Sequence, residues 1–338
     1  MLQESAERPR YSIVIPIFNE EAVIPLLLHR LEALMRQLDG RTEVIFVDDG
    51  SRDSSSIVLA AKAAHDPRYH FVALSRNFGH QLAITAGLDL ARGDAVIVMD
   101  ADLQDPPEVI LDLVAEWKKG GEIVYAQRIE REGETWFKRK TADLFYGILR
   151  RLTAVDIPRD VGDFRLVDRK VLDVFKQMRE RDRFVRGMFG WVGFRQTAVP
   201  YVRSARAAGS TKYPLRKMLR LANDGLVGFS DIPLRMALWV GSIVSIAALA
   251  YGAYVIGLYF AGSELVTGWA STIVVVSFLL GVNLLMTGIV GLYVGRIHAE
   301  VKGRPLYIVA RKVGFPAEAE ADLPKDEPAA WERRASWH

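Results

Sequence analysis

Cysteine is absent from the 338 residues, which excludes disulfides, thiolate nucleophiles and cysteine-ligated zinc. The six histidines show no H-E-x-x-H or comparable ligand spacing. No G-x-x-x-x-G-K-[ST] occurs, and no G-x-G-x-x-G follows the first apolar run; Gly187, Gly190 and Gly193 are three apart and fit neither pattern. A P-loop nucleotidase and a nicotinamide dehydrogenase are therefore disfavoured, and nucleotide phosphates would have to be held by metal and arginine. The opening residues, MLQESAERPRYS, contain no apolar run, so no cleaved signal peptide is expected. A formal charge of only +3 gives a nucleic-acid partner no support.

Charge is missing altogether from two long stretches, Met236 to Phe260 and Trp269 to Gly295. About 20 apolar residues cross the hydrocarbon core of a bilayer, so both qualify as transmembrane helices. Arg203, Arg206, Lys212, Arg216, Lys217, Arg220 and Arg235 precede the pair, and Arg296, Lys302, Arg304, Arg311 and Lys312 follow it. Basic flanks mark the cytoplasmic side, which predicts a hairpin with both ends inside. The same cations would lie at the anionic leaflet surface and could grip a lipid phosphate.

What is present upstream alternates in character. Residues 11–16, Glu43 to Val47, Phe71 to Leu74, Ala95 to Met99 and Ile123 to Tyr125 are short apolar runs that read as strands. Helical stretches separate them; in the first, Val23, Leu26, Leu27, Leu31, Leu34 and Leu38 recur at three and four, as one buried helix face requires. The alternation predicts a mostly parallel sheet covered on both faces, with ligands bound at the carboxyl ends of its strands. Polar residues gather at those ends: Asn19 and Glu20, Asp48 and Asp49, Arg76, Asp100 and Asp102, and Arg128. Any one of them could be a turn residue or a helix cap, as Asp48 and Ser51 illustrate; their convergence on one rim argues for a site.

The densest of these ends is residues 94–107, where the run Ala95 to Met99 stops in Asp100, Asp102 and Asp105 before Pro106-Pro107. Side chains alternate along a strand, so Asp100 and Asp102 share a face. Two hard oxygen ligands with the rest of the shell open suit Mg²⁺ or Mn²⁺ shared with a substrate diphosphate. A solvated acidic loop is the bland alternative for this stretch alone.

Residues 133–152 set an aromatic face, with Trp136, Phe137 and Phe145, among Lys138, Arg139, Lys140, Arg150 and Arg151. That composition suits a helix in the membrane–water interface, and equally a core-facing helix with a solvated basic side. Residues 162–169 carry Asp163 beside Phe164 and Arg165, where a structural ion pair is the bland account. The chain divides into a tail (1–10), an α/β domain (11–200), a basic juxtamembrane segment (201–235), two membrane spans (236–260 and 269–295), a cytoplasmic segment (296–315) and a disordered Ala/Glu/Pro-rich tail (316–338). The residues alone thus describe a metal-dependent enzyme with a nucleotide-linked substrate, tied to the inner face of a membrane.

YSIVIPIFNEE, VIFVDDGSRD, LSRNFGH, VMDADLQDPPE, GETWFKR, GDFRLVDR and VGRIHAEVKGRPLYIV, in that order, resemble the polyisoprenyl-phosphate glycosyltransferases. These are inverting, family 2 enzymes of GT-A (Rossmann-like) fold, related to dolichyl-phosphate mannose synthase and bactoprenol glucosyltransferase. The resemblance spans residues 11–312 and includes both membrane helices. It implies transfer of a sugar from a nucleotide diphosphate to undecaprenyl or similar phosphate at the inner membrane, and a homo-oligomer such as a tetramer. Carried onto this chain, Pro16, Phe18, Asn19, Glu20 and Asp48 would line the nucleoside, with Asp49, Arg76 and Gln104 close by. Asp100 and Asp102 would hold Mg²⁺ or Mn²⁺ on the diphosphate, and Arg128 would neutralise the leaving group. Lys138, Arg139, Arg165 and Lys212 are the candidates for the acceptor phosphate, and Asp163 matches the catalytic-acid position. A phosphate monoester is already largely ionised near neutral pH, so Asp163 would orient the acceptor or a neighbouring cation more than it would abstract a proton. UDP-glucose is the first-choice donor; other UDP-sugars and GDP-mannose are the alternatives. A processive polysaccharide synthase would need a Q-x-x-R-W motif, which RGMFGW at Arg186 to Trp191 does not match. A non-catalytic membrane scaffold is the remaining rival.

Overall fold

The computed structural model describes residues 8–129, 161–202, 232–261 and 268–315. Lys138, Arg139 and Lys212, the aromatic–basic segment 133–152, residues 203–231 of the juxtamembrane stretch and the C-terminal tail lie outside the described residues.

The expected alternation of strands and helices is present. In chain order it runs β1 (Tyr11–Ile17), α1 (Ile24–Met35), β2 (Thr42–Asp48), α2 (Ser55–His65), β3 (Tyr69–Leu74), α3 (His80–Leu90), β4 (Ala95–Val98), α4 (Val109–Lys118) and β5 (Ile123–Arg128). After the undescribed stretch come β6 (Val161–Asp168), α5 (Arg169–Phe175), α6 (Val185–Trp191) and β7 (Gln196–Tyr201). Two long helices, α7 (Ile232–Phe260) and α8 (Trp269–Val301), precede a last strand, β8 (Val309–Val313).

The strands form one sheet in the order β7-β5-β6-β4-β1-β2-β3-β8. β1 pairs in parallel with β2 and β4, β2 with β3, and β5 with β7. β6 runs antiparallel between β4 and β5, and β8 antiparallel along β3. Six strands therefore point one way and two the other, a mixed sheet with a parallel majority. Side-chain alternation sends Ile13, Ile15, Phe46 and Phe71 to one face, against Leu27, Leu31, Leu59 and Leu113 of α1, α2 and α4. Val14, Ile45, Val72 and Val98 face the other way, against Ile84 and Leu88 of α3, Phe175 of α5 and Met188 and Phe189 of α6. Both faces are covered, as buried parallel strands require, and each fully buried aliphatic side chain contributes about 1.5–3 kcal/mol.

The sheet draws its last strand from beyond the two long helices, so the α/β unit extends past residue 200. Val309 of β8 lies opposite Leu74, the carboxyl end of β3, and the Ser75 amide donates to the Ile308 carbonyl at 2.9 Å. The exit of α8 thus reaches the sheet on the rim where the parallel strands end. Met236–Tyr254 in α7 and Thr272–Val301 in α8 are long and apolar enough to cross a membrane, and most of their described side chains face outward.

Candidate active site

The loop after β1 and the loop after β2 are tied to each other. Asn19 takes φ 56°, a left-handed conformation that asparagine tolerates better than most residues, and its Oδ1 accepts from the Arg52 amide at 2.8 Å. The Asn19 amide donates to Ser51 Oγ and the Glu20 amide to Ser55 Oγ. Asp48 accepts from the Ser51 amide at 3.1 Å and from the Ser56 hydroxyl. Asp49 accepts from the amides of Phe78 at 2.7 Å and Gly79 at 2.9 Å. At 2% and 3% exposure, Asp48 and Asp49 brace these loops from behind. Pro16 is buried in register with Val47. Phe18, just past the end of β1, is half exposed, and Arg76 is exposed with its guanidinium 4.1 Å from the Phe78 ring centroid.

The Asp100 loop lies next to β1 through the β1–β4 pairing. The Gln104 amide donates to Asp102 Oδ1 at 3.1 Å, a short turn that crosses Leu103 at φ 57°. Asp100 Oδ1 is shielded from solvent and has no hydrogen-bond partner among the described residues, with the His80 Nε2 stopping 3.4 Å away. Desolvation raises the Asp100 carboxyl, His80 opposes, and Asp163, Asp105 and Asp102 raise it further; the net result is about 6. A shielded oxygen that accepts no hydrogen bond, with only the His80 ring nearby to offset several like-charged carboxylates, is a place where a divalent cation would offset the local charge. Asp100 and Asp102 therefore fit the two-ligand reading. Among the described residues no group of three or more His, Asp or Glu side chains is arranged to hold a metal, so substrate oxygens or water would have to complete the shell.

Asp105 serves a different purpose. It is buried, accepts from the Tyr201 hydroxyl, and lies 3.5 Å from Arg128 Nη2. Arg128 Nε in turn donates to the Tyr201 oxygen at 3.1 Å. A Cβ at Gly162 would stand 2.9 Å from Arg128 Nη2, so the glycine on β6 leaves room for that guanidinium. Burial disfavours the Arg128 charge, but Asp105 and Tyr201 outweigh it and raise its pKa.

Asp163 lies in β6 and is 4% exposed. Arg186 binds it through two N–H groups, Nε to Oδ1 at 2.8 Å and Nη2 to Oδ2 at 3.0 Å. Gln81 Nε2 donates to Oδ2 at 3.3 Å, and His80 Nε2 is 3.3 Å from the same oxygen. Burial works against the carboxylate, yet Arg186, His80 and Arg165 hold it far below the usual carboxylate range. Burial likewise works against the His80 imidazolium, and Asp163 and Asp100 outweigh it, so its pKa is raised. His80 thus bridges the two acids, Asp100 and Asp163. Arg165 is itself buried: Nη2 donates to the Gly162 carbonyl at 2.9 Å, and burial brings its pKa down to about 10. The sheet brings the acids Asp100, Asp102, Asp105 and Asp163 and the cation Arg128 to one rim, while Arg165, on the same face of β6 as Asp163, is buried one step further in against Phe189. His80, Gln81, Arg186 and Tyr201 complete the site. Of these only His80 stood within a recognisable strand-end motif, LSRNFGH; Arg186 was visible in RGMFGW without an assigned role.

A model of glycosyl transferase family 2 matches residues 12–175. The uncharacterized glycosyltransferase YkcC of Bacillus subtilis is 50% identical over 90% of this chain and 95% of its own length. A prophage bactoprenol glucosyl transferase homolog of Escherichia coli is 39% identical over 89% of this chain and 99% of its own length. Among solved structures, a Mycobacterium tuberculosis glucosyl-3-phosphoglycerate synthase in complex with Mn²⁺, UDP-glucose and phosphoglyceric acid is 23% identical, covers 66% of this chain and 80% of its own, and gives a TM-score of 0.43. This chain belongs to glycosyl transferase family 2, and its mixed α/β sheet is the GT-A catalytic fold of that family. Both relatives match this chain along nearly their whole length.

Proposed function

We propose that this glycosyltransferase moves one sugar, with inversion, from a UDP-sugar, UDP-glucose first, to polyprenyl phosphate at the cytoplasmic face of the inner membrane. The observation that carries the proposal is the paired-acid rim: Asp100, whose shielded oxygen accepts no hydrogen bond, beside Asp102 at the strand ends where the chain returns from α8 as β8. The 39% identity to a bactoprenol glucosyl transferase homolog supports the acceptor class.

In this reading Phe18, Asn19, Glu20 and Arg76 meet the nucleoside, with Pro16, Asp48, Asp49 and Gln104 supporting them. Asp100 and Asp102 hold Mg²⁺ or Mn²⁺, which when bound offsets charge on the donor diphosphate. Arg128, fixed by Asp105 and Tyr201, neutralises the departing diphosphate, a preorganised charge that need not rearrange as the reaction proceeds. The acceptor phosphate, already ionised, attacks the anomeric carbon in line. Asp163 orients the acceptor side and its neighbouring cations; with both oxygens engaged by Arg186, Gln81 and His80 it is a fixed anion and a poor proton acceptor. Lys138, Arg139 and Lys212 remain the proposed acceptor-phosphate cations. Arg165 now supports β6 more directly than the acceptor. The helices α7 and α8 form a membrane hairpin with both ends cytoplasmic, bringing the lipid acceptor to the rim.

Incubating the purified protein with radiolabelled nucleotide sugars, Mg²⁺ or Mn²⁺ and undecaprenyl phosphate tests this reading. A lipid-extractable monosaccharide is expected, and the donor panel identifies the sugar. A polymer product would favour a processive synthase, and no turnover with any donor would favour a scaffold.

A further inference from the structure

Asp163 is held by side chains from two helices that are distant in the chain. Arg186, in the first turn of α6, forms two roughly parallel N–H···O bonds to it, at 2.8 and 3.0 Å. Gln81, in the first turn of α3, donates to the same carboxylate at 3.3 Å, and its other end accepts from the Val185 amide at 2.9 Å. One amide side chain therefore joins the carboxylate to the backbone of the helix that carries its guanidinium partner.

The placement of Arg186 is itself determined by packing. Val185, Met188 and Phe189 of α6 are all buried, and at i, i+3 and i+4 they form one helix face. The Phe189 ring stacks on Phe175 with centroids 4.4 Å apart and planes 10° from parallel, while the Arg165 guanidinium lies 5.1 Å from the Phe189 centroid. With that face locked, Arg186 emerges at the rim with 31% of its side chain exposed, against 3% for Asp163.

We propose that Arg186 is a positioning residue for the transfer reaction: its fork fixes the plane and orientation of Asp163, and Gln81 keeps the fork and the carboxylate in register. The proposal rests on reading Asp163 as the residue that organises the acceptor side. Two effects follow from the geometry. A bidentate fork holds a carboxylate in one orientation, which a single point charge does not. It also offsets a negative charge that would otherwise repel an approaching phosphate.

The test uses the full-length protein in lipid nanodiscs, with UDP as the binding probe and undecaprenyl phosphate as the acceptor. Arg186→Met should lower kcat about a hundredfold, the scale on which a misplaced reacting group acts, while the UDP Kd and the KM for the nucleotide sugar stay within about twofold. Arg186→Lys, which keeps the charge without the fork, should recover only a small part of the loss. Because Arg186 acts through Asp163, the double variant Asp163→Asn with Arg186→Met should be no slower than Asp163→Asn alone. Multiplicative losses, full recovery with lysine, or a rise confined to the acceptor KM would each overturn the proposal. Gln81→Leu gives an independent variant if Arg186→Met folds poorly, and about a tenfold loss of kcat is expected; wild-type turnover would count against the register role. A structure of UDP-bound Arg186→Met decides the point without turnover. The Asp163 carboxylate should rotate out of its wild-type plane, and an unmoved carboxylate would overturn the proposal. Absence of lipid-linked product from the wild-type protein would instead reject the proposed function.

Discussion

Asp100 and Glu43 show how differently two partly or fully enclosed carboxylates behave in one sheet. Glu43 is buried away from the site, at the amino end of β2, and is fully bonded: it accepts from Ser12 Oγ at 2.6 Å, the Arg92 amide at 2.9 Å and the Arg92 guanidinium at 2.8 Å. Burial works against its charge, but His70, Ser12 and Arg92 outweigh it and bring its pKa down to about 2. Because the folded pKa is depressed, its stabilisation is present above the unfolded value near 4.5 and is lost as pH falls toward 2. A shift of that size corresponds to about 3 kcal/mol. Glu43→Gln should therefore lower the thermal midpoint at pH 7 and flatten the loss of stability between pH 5 and pH 2 to a similar extent; parallel pH profiles for the two proteins would refute this. Asp100 is the opposite case: desolvation first, and then the acids around it, raise its carboxyl to about 6. Removing its metal-side partner by Asp102→Ala should leave folding and UDP-independent stability intact and cut transfer at least about a hundredfold, the cost of losing a preorganised electrostatic group. Near-normal rates with saturating Mg²⁺ would reject the metal assignment.

At the scale of elements, the site is assembled by loops that one strand end donates to the next. Asp49 follows the last residue of β2, yet its carboxylate sets the backbone of Phe78 and Gly79, the entry to α3, and so places His80 and Gln81. Gly50, at φ 76°, lets this loop pass within contact of the Arg76–Asn77 backbone. Asp49→Ala should leave two part-buried amides without their acceptor, lower stability by about 1 kcal/mol, and reduce kcat more than donor affinity, as read by denaturant unfolding and steady-state kinetics. This dependence explains which parts of the structure were legible in the chain. β1 to β5 are apolar runs with clear polar stops, so they and the acids at their ends could be read locally. β6 hides Asp163 and Arg165 inside a buried strand and does not look like one. β7 carries Pro200, and β8 pairs with a strand more than two hundred residues earlier, at Phe71 and Val313. Nothing local announces such a partner. Arg186 was missed for the same reason: its role arises from α6 packing on Phe175, a long-range contact.

At the scale of the whole molecule, the end of α8 and the chain that follows it are bound to the α/β unit at several points. Beyond β8 itself, Arg296 lies 3.3 Å from Asp182 and Glu300 accepts from the Arg181 amide at 2.7 Å. Tyr307 donates to Asp89 at 2.7 Å, and His70 Nδ1 lies 2.7 Å from the Gly314 carbonyl. Arg181 and Asp182 lie just ahead of the helix that carries Arg186, so the exit of α8 and the Asp163 fork share one stretch of chain. A truncation after Arg235 is for this reason not a simple removal of a membrane anchor, because it also strips β8 from β3 and exposes that edge strand, a liability for association. Replacing residues 232–301 by a long Gly/Ser linker removes the apolar helices and keeps β8. The truncated protein should melt at least about 5 °C below the linker variant, since each kcal/mol shifts the midpoint of a domain this size by about 2–4 °C, and it should aggregate at lower concentration. Both should bind UDP, the truncated form only below its lower melting point, and both should turn over a bilayer-embedded acceptor poorly. Equal midpoints would mean that β8 adds little to the fold. Undiminished activity of the linker variant on the bilayer acceptor would mean that the two helices tether the enzyme without delivering its substrate.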